Sequence, residues 1–238
     1  TISVIPSPAA VEVTGNLVPA MIGFGEGPEL AYNSYEVTAD LARRLFPGET
    51  LFGDGLPIQC LTEARLTDGA YEIVFGETVT LRAGDADGFQ YGFITLAQML
   101  RGAQKHPEDF IFPTSGTISD APRFGWRGSH LDVARQVYTT EEIIAFLDTM
   151  AWNKLNRFHI HLNDDEGWRL DVPDYPELAD KAAWRGPGEI LPPLLGSPFE
   201  RHGLVYRAAD VTAMVEHGLS LGIQTIPEID IPGHCYCV

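Results

Sequence analysis

Apolar residues recur with period two in some stretches of this chain and with a period near 3.6 in others. Residues 11–14 and 57–61 read as short strands, and 70–75 with 78–82 as a hairpin turning at Gly76-Glu77. Residues 35–46 put Val37, Leu41 and Leu45 on one helical face before Pro47-Gly48 stops the run. Residues 89–102 do the same with Phe93, Leu96, Ala97 and Leu100. Strands in a run with helices set beside them predict a small α+β domain over residues 1–118.

Residues 107–122 read as a polar, proline-containing connection, and the order of elements changes behind it. A strand at 127–135 carries Leu131 and Val133 in step. A helix opens at Thr139 or Thr140, with Glu141 and Glu142 in the first turn, where the helix dipole favours acids. A strand follows at 157–163, then a long loop holding Pro173, Pro176, Pro187, Pro192, Pro193 and Pro198. A helix at 208–221 and a strand at 223–230 close the series. The order β-α-β-loop-α-β predicts a parallel sheet. In the strand at 157–163, Phe158, Ile160 and Leu162 alternate with His159, His161 and Asn163, and two imidazoles and an amide build a poor core. Phe158, Ile160 and Leu162 therefore face the helices. The strands end in Arg135, in Asp164-Asp165-Glu166, and in the run from Glu228 to His234. β/α folds keep their chemistry at carboxyl strand ends, so these groups are expected to converge on one face, as in a (β/α)8 barrel. Such a barrel takes roughly 250 residues, and three strands cannot close one. The barrel is therefore expected to be truncated.

Charge narrows the function classes. The balance of 33 acids against 16 bases gives −17, the wrong sign for nucleic acid or an anionic membrane surface. No stretch approaches the ~18 apolar residues of a membrane span. Thr1-Ile2-Ser3-Val4 has no initiator Met, basic flank or apolar leader core, so an export signal is expected to have been removed or never to have existed. The compartment stays unassigned. Three cysteines make no paired framework, and His234-Cys235-Tyr236-Cys237 lacks the fourth ligand of a zinc site. Two further patterns fail on their own terms. Gly23-Phe24-Gly25-Glu26-Gly27 is not followed by the Lys-Ser/Thr of a phosphate loop. Asp85-Ala86-Asp87-Gly88 starts like a calcium loop, but Leu96 stands where the bidentate Glu belongs. No cofactor and no metal are expected.

Four ordered motifs carry a resemblance. Pro122-Arg123-Phe124-Gly125-Trp126-Arg127-Gly128 with Leu131-Asp132-Val133-Ala134-Arg135 is similar to the barrel entry of glycoside hydrolase family 20, the β-N-acetylhexosaminidases. His159-Ile160-His161-Leu162-Asn163-Asp164-Asp165-Glu166-Gly167-Trp168-Arg169 resembles its signature H-x-H-L-x-D-D-Q-G-W-R. Tyr175-Pro176-Glu177-Leu178 and Pro227-Glu228-Ile229-Asp230-Ile231-Pro232-Gly233-His234 complete the set. The first 118 residues resemble the family's accessory domain, with Asp87-Gly88-Phe89-Gln90-Tyr91-Gly92 at its last helix entry. The fold class implied is α/β: an accessory α+β domain over 1–118, then, over 119–238, the first three β/α units of a TIM barrel.

The resemblance implies exo-acting, retaining hydrolysis of terminal N-acetylglucosamine or N-acetylgalactosamine, assisted by the sugar's own 2-acetamido group. The partner implied is an N-acetylhexosamine-containing glycoside. The family's Asp-Glu acid/base pair sits in a motif H-x-G-G-D-E that these residues lack, so no catalytic residue is assigned and the pair is expected beyond Val238. Arg135 matches the arginine that grips the sugar's 3- and 4-hydroxyls. Asp164 matches a carboxylate near the acid/base residue. Asp230 and His234 match residues that hold the catalytic pair, expected as an imidazole–carboxylate hydrogen bond. A structural ion pair is the plainer role for Arg135, and His159 and His161 are expected to be structural. Trp168 and Arg169 are expected to brace the loop. Glu166 departs from the family's Gln and adds a charge. Two rival readings remain: a non-catalytic, sugar-binding remnant of the family, and a metal-dependent amidohydrolase-like barrel built on His159-x-His161.

Overall fold

The computed structural model describes residues 1–192, 195 and 199–238, so Pro193 and Pro198 of the proline-rich loop lie outside the described residues. The chain forms two compact units: Thr1–Gly125 with Trp152–Lys154, and Trp126–Ala151 with Leu155–Val238.

In the first unit the elements run β1 (Ala10–Thr14), β2 (Ile22–Phe24), α1 (Glu29–Leu45), β3 (Leu56–Thr62), β4 (Tyr71–Phe75), β5 (Val79–Ala83), α2 (Ala86–Lys105) and β6 (Ser115–Asp120). They build one six-stranded sheet in the order β1-β6-β4-β5-β3-β2. The alternation at 71–83 produces the expected hairpin, with Tyr71, Ile73, Phe75, Val79, Leu81 and Ala83 buried. β6 lies inside the stretch read as a connection. It pairs with β1 on one side and β4 on the other, yet Ile118 is its one large apolar residue, too little to show a period. β2 has three residues with a glycine at its centre, and α1 begins well before residue 35. The rejected calcium-like run has a different use. Asp85 caps α2 by accepting from the Gly88 amide at 2.8 Å and from the Gly69 amide at 3.1 Å. Gly88 lets the helix sit tight on the sheet, since a Cβ there would lie 2.5 Å from the Ala70 carbonyl oxygen. Lys154 is buried in this unit, its Nζ 2.7 Å from Thr95 Oγ1 and 3.0 Å from Tyr71 Oη. Burial pulls its pKa down to about 8, against the charge of Asp120.

In the second unit β7 (Gly128–Asp132), α3 (Thr140–Trp152) and β8 (Arg157–His161) are followed by a hairpin, β9 (Asn163–Asp164) with β10 (Gly167–Trp168). Another short pair, β11 (Trp184–Arg185) with β12 (His202–Gly203), precedes α4 (Ala208–Ser220) and β13 (Gln224–Glu228). β7, β8 and β13 form a parallel sheet in the order β13-β8-β7. α3 opens with a capping box: the Thr139 amide donates to Glu142 Oε2 at 2.7 Å, and the Glu142 amide to Thr139 Oγ1 at 3.2 Å. β7 is shorter than the predicted 127–135. Asp132 Oδ1 accepts from the amides of Ala134 and Arg135, both at 3.0 Å, and this side-chain turn ends the strand. Arg135 thus stands on a turn beyond the sheet. Phe158, Ile160 and Leu162 are buried together on the face that was expected to be apolar.

Candidate active site

Register decides which side chains meet. Asp132 pairs with His161 and His161 with Glu228, so these three form one row across the carboxyl ends of β7, β8 and β13. His130, His159 and Ile226 form the row behind it. Parallel strands in register put row members on the same face, so the polar face of β8 continues on both neighbours. Arg135 reaches into this edge. Its Nη1 donates to Asp132 Oδ2 at 2.6 Å, its Nη2 lies 2.5 Å from Asp164 Oδ2, and its Nε is 3.6 Å from Glu166 Oε2.

Asp164, with 2% of its side chain exposed, is the most heavily contacted acid of the site. Oδ1 accepts from the Asp165 amide at 2.7 Å and meets His234 Nδ1 at 3.2 Å, while Oδ2 meets His161 Nε2 at 2.8 Å. Burial works to raise its pKa. The Asp165 amide, His161, Arg135 and His234 outweigh burial and hold the carboxyl below its ordinary value. Glu166 is shifted the other way, by burial and then by the charge of Asp164, and its Oε2 is buried without a hydrogen bond. His234 sits at φ 52°, in the left-handed region, and also comes within 3.5 Å of Arg135 Nη2. Its carboxylate partner is Asp164, not the expected Asp230. Asp230 is held by its main chain: its amide donates to Asn163 Oδ1 at 2.8 Å, and its carbonyl accepts from Asn163 Nδ2 at 3.0 Å. Asn163 Nδ2 also donates to the His234 carbonyl at 3.1 Å, so one buried amide fixes the loop after β13.

Around Glu228 Oε2 stand His159 Nε2 at 2.7 Å, His161 Nδ1 at 3.2 Å and His130 Nε2 at 3.4 Å. No directed hydrogen bond reaches this oxygen, and the three imidazoles stand around it at ion-pair distance. Burial raises the Glu228 pKa, and His161 followed by His159 more than offsets it. Burial also lowers the His161 pKa, and Asp164, Glu228 and Asp132 reverse that into a net rise. At this sheet edge, among the described residues, three groups bring metal-ligand atoms within 4.8 Å of one another: His130, His161 and Glu228; Asp132, His161 and Asp164; Asp164, Asp165 and His234. Each relies on His161 or Asp164, which already hold each other. Cys235 Sγ lies 2.9 Å from the Pro232 carbonyl oxygen, and burial pushes the Cys237 thiol up to about 11. Neither cysteine joins His234 in such a group among the described residues.

Comparison with known proteins adds the lineage. The profile described as glycosyl hydrolase family 20, catalytic domain, matches residues 124–238, and that described as glycosyl hydrolase family 20, domain 2, matches residues 1–121. The chain belongs to glycosyl hydrolase family 20. It is 38% identical to a beta-hexosaminidase of Vibrio furnissii over 73% of this chain and 28% of that protein. It is 32% identical to an N,N'-diacetylchitobiase of Vibrio harveyi over 98% of this chain and 27% of that protein. A solved family 20 exo beta-N-acetylglucosaminidase of Vibrio harveyi, in complex with N-acetylglucosamine, superposes with a TM-score of 0.84 at 30% identity, covering 99% of this chain and 37% of that one. An N-acetyl-beta-hexosaminidase of Streptomyces plicatus gives 0.75 at 29% identity, over 99% of this chain and 47% of that one. The chain thus spans about a quarter to a half of the length of these relatives. The second unit is part of the family 20 TIM barrel, and the amidohydrolase-like reading is set aside.

In this family 20 chain Arg135, Asp164 and His234 come together, while Asp230 adjoins them through Asn163. Behind Arg135 are two buried arginines. Arg169 donates to four carbonyls: Val133 at 2.8 Å, Ala134 at 2.5 Å, Ala183 at 2.6 Å and Leu204 at 3.4 Å. Arg185 donates to the carbonyls of Arg135 at 2.7 Å and Glu166 at 3.2 Å. Arg169 thus braces the loop as expected. The sequence assigned no role to Arg185 or to the row partners His130 and Asp132, although Asp132 stands in the motif that ends in Arg135. The registers of three strands were needed to find the row.

Proposed function

We propose that this chain is the accessory domain and first barrel strands of an exo-acting β-N-acetylhexosaminidase, with the domains divided at 118/119. It removes terminal N-acetylglucosamine or N-acetylgalactosamine with retention. The observation that carries this reading is the Arg135–Asp164–His234 group at adjoining strand ends, in a chain whose family relatives carry hexosaminidase names. Arg135 offers a rigid fork of donors for the sugar's 3- and 4-hydroxyls, and Asp132 and Asp164 orient it. Asp164, Asp230 and His234 hold the charge and orientation of an acid/base pair contributed by residues outside these 238. The acetamido oxygen attacks the anomeric carbon while the acid protonates the departing oxygen. Water then attacks the anomeric carbon from the face the leaving group vacated, opposite the acetamido oxygen. The bond from that oxygen to the carbon breaks as the conjugate base takes the water's proton.

The test uses the full-length protein containing this chain. An aryl N-acetylglucosaminide should be hydrolysed and the matching glucoside, which lacks the acetamido group, should react at background rates. Arg135→Lys should lower kcat/KM by roughly tenfold or more, because the ammonium cannot reproduce a bidentate grip worth about 1.5–3 kcal/mol. Residues 1–238 alone should show no turnover. Efficient cleavage of the glucoside would exclude substrate assistance. A folded full-length protein inert to both would leave the sugar-binding remnant.

A further inference from the structure

Resting on that reading, we propose that His161 is a positioning residue that sets the orientation of Asp164, bridging it to Glu228. Both ring nitrogens face oxygens that only accept: Nε2 is 2.8 Å from Asp164 Oδ2, and Nδ1 is 3.2 Å from Glu228 Oε2. Nε2 makes a directed hydrogen bond and Nδ1 only an ion-pair contact. Carboxylate oxygens within 3.2 Å of both nitrogens nonetheless favour the imidazolium over a neutral ring, which would leave a lone pair beside one of them. The side chain is 6% exposed, which keeps water from replacing either contact. The titratable groups around it are Asp132 in register on β7, Glu228 in register on β13, Asp164 on β9 with Arg135 on the same Oδ2, His159 on its own strand, and the rings of His130 and His234 at 5.8 and 6.5 Å.

The consequence falls on Asp164. Its Oδ1 is held by the Asp165 amide and faces His234, while its Oδ2 faces both His161 and Arg135. Arg135 is the more exposed of the two Oδ2 partners, with 41% of its side chain accessible, and it is the group expected to bind sugar. If Arg135 turns towards a hydroxyl, His161 is the buried contact that still fixes Oδ2, and with it the face Asp164 offers to His234. The bridge therefore belongs to the chemical step more than to sugar binding.

Three variants of the full-length enzyme separate positioning from mere packing. His161→Phe fills the space and removes both donors. It should lower kcat by roughly tenfold or more with little change in KM, and move the acid limb of the pH–rate profile. In His161→Gln the amide nitrogen overlies Nε2 and keeps the Asp164 contact, so most of the kcat should return. In His161→Asn the amide nitrogen overlies Nδ1, faces Glu228 alone and should not rescue. Equal kcat in all three within twofold, or Gln and Phe failing alike with the same loss in melting temperature, would overturn the proposal. A readout free of turnover stands beside this. Nitrogen-15 spectra of the protein at pH 6 should show both His161 ring nitrogens protonated, and Asp164→Asn should abolish that signature. A neutral His161 there overturns the bridge whether or not the enzyme cleaves hexosaminides, and an inert enzyme with an intact imidazolium overturns only the proposed activity. One equivalent of tightly held zinc, lost in His130→Gln, would make His161 a ligand and would also overturn it.

Discussion

Arg169 is fully buried, and its donors go to main-chain carbonyls rather than to an acid. Burial, then the nearby Arg185, lowers its pKa to about 10, so it stays charged at neutral pH. Arg169→Met would take this donor from the carbonyls of Val133 and Ala183, each costing about 1–3 kcal/mol if left unpaired, while Ala134 keeps Arg185 Nη1 at 3.4 Å. We expect a loss of about 3 kcal/mol or more in urea unfolding, and lost hydrogen-exchange protection around residues 133–135. Glu166 is a milder case of a charge held against its preference. Its pKa is raised, so the folded state disfavours the carboxylate, and Glu166→Gln should raise the melting temperature at pH 7. The gain should fade as the pH falls through the ordinary carboxylate range, where the wild-type side chain is itself neutral. A gain persisting undiminished at pH 3 would show that charge is not its source. Arg135, Asp164 and His234 were legible in the sequence because strand ends are where such folds hold ionisable groups. Arg185 was not, because main-chain carbonyls leave no mark on composition.

Among the elements, those with a clear apolar period were foreseen to within a few residues: β4, β5, α2, β8 and α4. The missed strands are the ones where hydrogen bonding rather than apolar spacing does the specifying. β6 is an internal strand with a single large apolar side chain, and β2 spans three residues. Strand ends were misjudged where a side chain intervenes, as Asp132 does after β7. A helix glycine offers a sharper test of element packing. Alanine is ordinarily about 1 kcal/mol better than glycine inside a helix. At Gly88 of α2 the added methyl would meet the Ala70 carbonyl oxygen at 2.5 Å and Ala83 Cβ at 2.9 Å. Gly88→Ala should therefore destabilise by about 1–3 kcal/mol, the reverse of the propensity order. A thermal melt decides the sign.

Across the whole molecule, pH acts through opposed shifts. Asp132, Asp164 and Glu228 have lowered pKa values, so their stabilisation is present above the unfolded values near ~4 and disappears as the pH falls through the folded ones. His161 has a raised pKa, so its contribution is complete below ~6.5 and disappears as the pH rises through the folded value. Melting temperatures taken from pH 3 to 9 should thus peak between ~4.5 and ~6.5, and His161→Phe should flatten the alkaline side. An unchanged alkaline limb in that variant would assign the slope to other groups. Placement in the family was legible from four motifs, whereas the ordering of imidazoles and carboxylates along one sheet edge required the registers of three strands. The anchoring of Arg185 also bears on redesign. It stands in the proline-rich loop, yet it grips the backbone under Arg135 and Glu166. Anyone exchanging that loop between homologues would be replacing a fastener of the turn that carries Arg135, the residue proposed to hold the sugar. Loop swaps that carry Arg185 across at the same distance from β11's partner strand should keep the Arg135 turn in place, and shortened ones should loosen it whatever the rest of the loop contains.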